Sequence, residues 1–224
     1  MKIKSFFKKL FLGEDLIARI PSSINGEIKL HEDLFGRRRI QVGQLTESGG
    51  AMDTIMEKAL REVKHSKVGG VNKILLLGLG AGTIIRRLKK FWPGSKITAV
   101  ELDPIMVDVG KKYFKFQEDN SLEIIQADAI ELINNTKHLG DNKYDLIIVD
   151  LYLGIDFPTQ QTMTDRFING LKEITGENGM VVVNRLYWGK HKKETLEFTE
   201  RYKSKFKKVW FKKSTSNLLV FCLD

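Results

Sequence analysis

The chain has 224 residues, 42% of them apolar, with four prolines and a single cysteine, Cys222. That suffices for one α/β domain of ordinary size with a small addition, and it excludes long disordered tracts, an internal disulfide and a cysteine-built zinc cluster. The formal net charge of +9 points to an acidic partner such as RNA, DNA or anionic lipid, or else to a solvated basic face.

The start, MKIKSFFKKLFL, is basic and apolar like a signal peptide, but Lys8 and Lys9 cut the apolar run and no small-residue cleavage site follows. No uninterrupted run reaches the ~18 apolar residues of a membrane span. With one cysteine, this predicts a protein of the reducing cytoplasm. Across residues 1–20, Ile3, Phe6, Phe7, Leu10 and Phe11 recur at helical spacing between lysines. The pattern predicts an amphipathic helix that lies on a membrane surface or docks on its own domain or a second copy in a homodimer. From Glu27 to Gln44, two short alternating runs flank Phe35-Gly36 and predict a hairpin. Residues 1–50 thus read as a helix-and-hairpin extension, and 51–224 as the main domain. A helix is predicted over Met52–His65, followed by a break at SKVGGVN.

After the break, apolar runs at 73–77, 96–101, 121–126, 144–150 and 179–184 alternate with helical patterns near 83–92, 104–115, 129–138, 160–175 and 191–205. Apolar runs without polar alternation suit strands covered on both faces. The order predicts a doubly wound, Rossmann-like, mostly parallel seven-stranded sheet, closed by an antiparallel hairpin from the tail KKVWFKKSTSNLLVFCLD. Between Lys190 and Lys213 stand ten Lys/Arg against three Glu. This stretch is the candidate surface for nucleic acid.

The run KILLLGLGAGTIIRRL ends its apolar segment in Gly78, Gly80 and Gly82. Glycine permits a sharp turn and close approach where a Cβ would collide. Glu101 ends the next strand, Asp128 follows the third and Asp150 ends the fourth. Four consecutive strands therefore carry a glycine or an acid at one sheet edge, where open α/β folds bind ligands. Singly, Asp128 reads as a helix cap and Asp103 as a turn former; together the set predicts a nucleoside site. The spacing is G-x-G-x-G rather than G-x-G-x-x-G, and no G-x-x-x-x-G-K-[ST] occurs. That disfavours a dinucleotide or a nucleoside triphosphate and favours an adenosine ligand without phosphates.

The stretches LLLGLGAGT, VELDP, ADA and YDLIIVD resemble the successive motifs of class I S-adenosylmethionine-dependent methyltransferases, and more narrowly those of the spermidine/spermine synthase branch. The narrower likeness takes in RIQVGQLTESGG and DLYLGIDFPTQQTMTDRFINGLKEITGENGMVVVN, spanning roughly Arg39 to Asn184. It implies S-adenosylmethionine, or its decarboxylated form, as cofactor. Gly78, Gly80 and Gly82 would line its methionine side and ribose, Glu101 with adjoining Leu102 would hold the ribose, and Asp128 with Ala129 the adenine. Asp150 would face the reacting centre as base or orienting group, with Tyr152 lining or stacking beside it. Gln44 falls where the family places a cofactor- or substrate-contacting glutamine.

The same resemblance leaves the transferred group open. The polyamine branch uses an aspartate after the fourth strand as base and a second three residues on; here these positions are Asp150 and Leu153, and the usual acid of the glycine loop is Ala81. A methyltransferase with an unidentified acceptor is therefore the leading reading. A polyamine aminopropyltransferase, a non-catalytic nucleoside-binding basic protein and a nicotinamide enzyme are the alternatives. His31, His65, His138 and His191 are scattered and predict no metal site.

Overall fold

In the computed structural model, which describes residues 13–43, 45–66, 70–152 and 159–224, the chain forms two sheets. The first is antiparallel in chain order: β1 (Glu14–Ser22), β2 (Gly26–Asp33), β3 (Arg38–Val42) and β4 (Leu45–Ser48). The β2–β3 pair is the anticipated hairpin. Its turn forms because the Asp33 carboxylate accepts from the backbone N–H groups of Phe35 and Arg37, each at 2.9 Å. Residues 14–20 are strand, where periodicity predicted helix. Ala18 and Ile20, two apart, share a face with Ile28, Leu30, Ile40 and Val42, and this period of two decides over the short helical pattern. The stripe Ile3–Phe11, Gln44 and Leu153 lie outside the described residues.

The second sheet holds β5 (Lys73–Leu77), β6 (Lys96–Glu101), β7 (Leu122–Gln126), β8 (Tyr144–Val149), β9 (Thr175–Leu186), β10 (Lys208–Ser214) and β11 (Asn217–Leu223). Their order is β10-β11-β9-β8-β5-β6-β7. The five strands from β9 to β7 are parallel, while β11 runs antiparallel to both β9 and β10. Helices α1 (Ala51–His65) and α2 (Thr83–Phe91) pack on one face; α4 (Ala129–Asn134), α6 (Asp165–Ile174) and α7 (His191–Lys203) pack on the other. Ile74, Leu75, Leu76 and Leu77 are wholly buried, which is why β5 carries no polar alternation. Two short helices, α3 (Pro104–Val109) and α5 (Thr159–Thr162), lie at the sheet's upper edge.

Three predicted helices are interrupted. The 104–115 segment is α3 followed by a π turn at Gly110–Phe114, stopped by Lys115 in the left-handed region at φ 58. The cause is Phe116, whose buried ring seats between Gly82 and Gly110; a Cβ on either glycine would stand 2.2 Å from it. The 129–138 segment is α4 and a 3-10 turn at Thr136–Leu139, and the 160–175 segment is α5 and α6, the latter capped by Thr164.

The small sheet is not a separate lobe. Its inner face packs on Ala81 of the glycine loop and on Met106 and Val109 of α3. The β1–β2 turn docks at the start of α3, where Ser22 Oγ and Asn25 Nδ2 donate to the buried Asp103 carboxylate at 2.5 and 2.7 Å. Asp103 also caps α3, accepting from Ile105 N at 2.9 Å with Pro104 at the first helical position. It is a cap, where the sequence suggested a turn former.

Candidate active site

Strand order reverses at β5: the chain proceeds to β6 and β7 on one side and to β8 and β9 on the other. A crevice therefore opens beyond the tips of β5 and β8. Gly78 stands there at φ 89, and a Cβ on it would meet the Asp150 carbonyl oxygen at 2.2 Å. This glycine lets two strand tips close on each other, a constraint set by backbone before any ligand. The loop beyond it is fastened from the small sheet. Ser48 Oγ accepts from Ala81 N and Thr83 Oγ1 accepts from Gly49 N, both at 2.9 Å.

A cleft of about 280 Å³ opens between these elements. Gly78, Leu79 and Gly80 form one wall, Glu101, Leu102 and Met106 another, Asp128 and Ala129 a third, and Asp150 with Tyr152 the end. Eight of the ten predicted site residues thus come together. Gly82 does not line the cleft; it serves the Phe116 wedge instead. Gln44 lies outside the described residues.

Glu101 is engaged with its own fold. Oε2 accepts from Leu79 N at 3.1 Å and Gly80 N at 2.8 Å, and Oε1 accepts from Asp103 N at 3.0 Å. Burial pushes its pKa above the ordinary carboxylate range, and those three N–H groups oppose the shift while the Asp103 charge adds to it. Of roughly four lone-pair positions, about one stays open to the cleft. Asn25, which no sequence motif singles out, lines the same cleft. Its Nδ2 must face the acceptor-only Asp103 carboxylate, which leaves the carboxamide oxygen as a second acceptor beside Glu101. Asp128 caps α4 through Oδ1, at 2.7 Å from Ile130 N and 3.4 Å from Glu131 N, so one oxygen remains for a ligand.

At the far end Asp150 follows β8, half-buried. Burial pushes its pKa up to about 6; a hydrogen bond from Asn184 opposes the shift and the Glu101 charge adds to it. Asn184 Nδ2 donates to Asp150 Oδ1 at 2.9 Å, while the Asn184 backbone carbonyl accepts from the Tyr152 hydroxyl at 2.9 Å. One buried asparagine on β9 thus places both residues. The polar Asn that breaks the apolar run GMVVVN is the sequence signal for it. Among the described residues, no group of three or more His, Cys, Asp or Glu is arranged to hold a metal ion.

Residues 54–221 match the family described as the spermine/spermidine synthase domain. The chain belongs to that family. The chain is similar to two kinds of enzyme. The chain is 26% identical over 186 residues to the "eEF1A lysine and N-terminal methyltransferase homolog" of Drosophila melanogaster, covering 81% of this chain and 27% of that protein. It is 31% identical over 112 residues to a polyamine aminopropyltransferase of Vibrio vulnificus, covering 50% of this chain and 37% of that one. The chain therefore spans between a quarter and two fifths of these relatives' lengths. Among solved structures, human methyltransferase-like protein 13 in complex with SAH superposes with a TM-score of 0.63 at 22% identity, covering 78% of this chain and 82% of that one. This synthase-domain chain shares that fold.

Proposed function

We propose that this chain is an S-adenosylmethionine-dependent transferase that moves a methyl group to an amine acceptor. The observation that carries the reading is Asp150, a carboxylate whose pKa lies near 6, at the end of a cleft whose middle holds Glu101. The residues present fit an adenosyl group. Glu101 and Asn25 offer acceptors to a ribose diol, and Leu102, Met106 and Ile130 offer apolar surface to a base. When bound, S-adenosylmethionine supplies a methyl group already activated on a sulfonium. Asp150 then has two tasks. It accepts the proton of an amine whose ordinary pKa is ~10.4, and it orients the nitrogen towards the donor. With a pKa near 6 it is mostly ionised at neutral pH and ready to accept.

Aminopropyl transfer to a polyamine is the second reading, favoured by the family match and the Vibrio relative. Two features weigh against it. Position 153 is leucine, and a buried cation without its partner loses about 3–5 kcal/mol. Ala81 is wholly buried in the apolar cluster between the small sheet and α3, so the glycine loop offers no acid to the cleft. The relative named for lysine and N-terminal methylation suggests a protein amine as acceptor.

The test is a calorimetric titration with S-adenosylmethionine, S-adenosylhomocysteine, decarboxylated S-adenosylmethionine and NAD, followed by product analysis with amine acceptors. The first two ligands bind, the decarboxylated form binds more weakly, NAD gives no heat, and the product carries a methyl group. Tighter binding of the decarboxylated form with an aminopropylated product selects the second reading. No heat from any adenosyl ligand overturns both.

A further inference from the structure

Asn184 and Asn217 are buried asparagines, 1% and 3% exposed, on neighbouring antiparallel strands. Their amides join end to end. Ser216 Oγ donates to Asn217 Oδ1 at 2.9 Å, Asn217 Nδ2 donates to Asn184 Oδ1 at 2.8 Å, and Asn184 Nδ2 donates to Asp150 Oδ1 at 2.9 Å. Every link points the same way, from the β10–β11 turn to the carboxylate. Amides carry a donor and an acceptor end, so each neighbour dictates which way the next one faces. Were Asn184 turned over, its carbonyl would face Asp150 and its NH₂ would face the Asn217 NH₂, leaving two buried clashes of like groups.

We infer that Asn217, through Asn184, is a positioning residue for Asp150: it holds Oδ1 as the permanently unprotonated oxygen and leaves Oδ2 as the atom that accepts the proton. The Asp150 Oδ2 accepts no hydrogen bond from the described residues. Tyr152 is fastened to the same Asn184 through its backbone carbonyl, so side chain and main chain of one residue set the two walls of the acceptor end. No residue of the β10–β11 turn is among the described residues that line the cleft, so its effect on the site is routed through this chain of amides. The inference rests on Asp150 being the base in the proposed reaction, but the polarity of the chain can be measured without any substrate.

Among the described residues, Glu101 at the tip of β6 acts on Asp150 through its charge, and the titratable side chains of Tyr152, Asp128 and Glu131 line the same cleft. The experiment follows the Asp150 carboxyl carbon by ¹³C NMR in full-length protein labelled at the aspartate side-chain carboxyl, the resonance being assigned by its loss in Asp150→Asn. In the wild-type chain it titrates near 6. In Asn217→Ala the Asn184 amide can turn over once Asp150 is protonated and accept from the acid, which favours the protonated form, and the midpoint moves up by about one pH unit. Asn217→Ser has a hydroxyl too short to reach Asn184 Oδ1 and moves the midpoint as Asn217→Ala does. A folded Asn217→Ala with an unmoved midpoint overturns the inference. If Asn217→Ala fails to fold, Ser216→Ala, at a half-buried position, carries the test: a smaller upward shift supports the inference and none overturns it. S-adenosylhomocysteine titrated into the same samples separates the two ideas, since loss of binding in wild type strikes the transferase reading and leaves the titration result standing.

Discussion

Glu101 has two duties that are difficult to separate. Its three hydrogen bonds from the backbone of Leu79, Gly80 and Asp103 hold the glycine loop in its cleft-forming shape, and its remaining lone pair is open to the cleft. On the proposed function, Glu101→Ala therefore removes both a charge-assisted bond to the cofactor ribose and the tie that shapes the loop. Binding of S-adenosylhomocysteine should weaken by about 1.5–3 kcal/mol, measured by calorimetry. Glu101→Gln should recover little of this, because one end of its amide is a donor and would face donors of the loop. Unchanged affinity in Glu101→Ala would remove Glu101 from the ligand site.

Elements meet at this cleft through wedges and turns as much as through helix and strand packing. Phe116 requires glycine at both 82 and 110, and Gly82 also sits at φ 78, where a side chain is strained. Gly82→Ala should destabilise the fold by about 1–3 kcal/mol in thermal or chemical unfolding. Combined with Phe116→Ala it should cost less than the two single changes added, since both act on one contact. The β1–β2 turn is the second joint. Asn25→Ala leaves the buried Asp103 carboxylate with one donor fewer and takes an acceptor from the cleft. The unfolding free energy should fall by about 1–3 kcal/mol, and S-adenosylhomocysteine affinity should fall with it. A loss of stability with affinity unchanged would confine Asn25 to docking the small sheet.

For the molecule as a whole, Asp150 is a liability to stability at neutral pH. Its pKa is near 6 in the folded chain against 3.8 for a free aspartate. The folded state thus holds this proton more tightly than the unfolded one. The stabilisation present below pH 3.8 is lost as pH rises to 6 and stays lost above it. Asp150→Asn keeps the acceptor for Asn184 and never ionises, so it should be more stable than wild type by about 1–3 kcal/mol at pH 7. That difference should shrink towards zero near pH 4 in paired unfolding curves. A constant difference across the range would mean that Asp150 does not titrate as described. The basic stretch from Lys190 to Lys213 is spread over α7 and β10, and several of its cations already meet carboxylates: Arg201 and Lys205 meet Asp165, Lys203 meets Glu200, and Lys212 meets Glu62.

From the residues alone, the alternation of apolar runs with helical patterns determined the parallel sheet, and the glycines and acids at strand ends determined which edge would carry a cleft. Both are local signals: burial on two faces removes polar alternation, and a strand tip is marked by whatever must turn or ligate there. Only tertiary structure decided the rest. The π turn after α3 exists because Phe116, distant in sequence from Gly82, fills the space beside it. Asn25 became a cleft residue because Asp103, 78 positions on, draws its turn across. Asn217 came to bear on Asp150 because β11 enters the sheet beside β9. Each joins residues far apart along the chain, and a linear pattern carries no record of which amide will face which carboxylate.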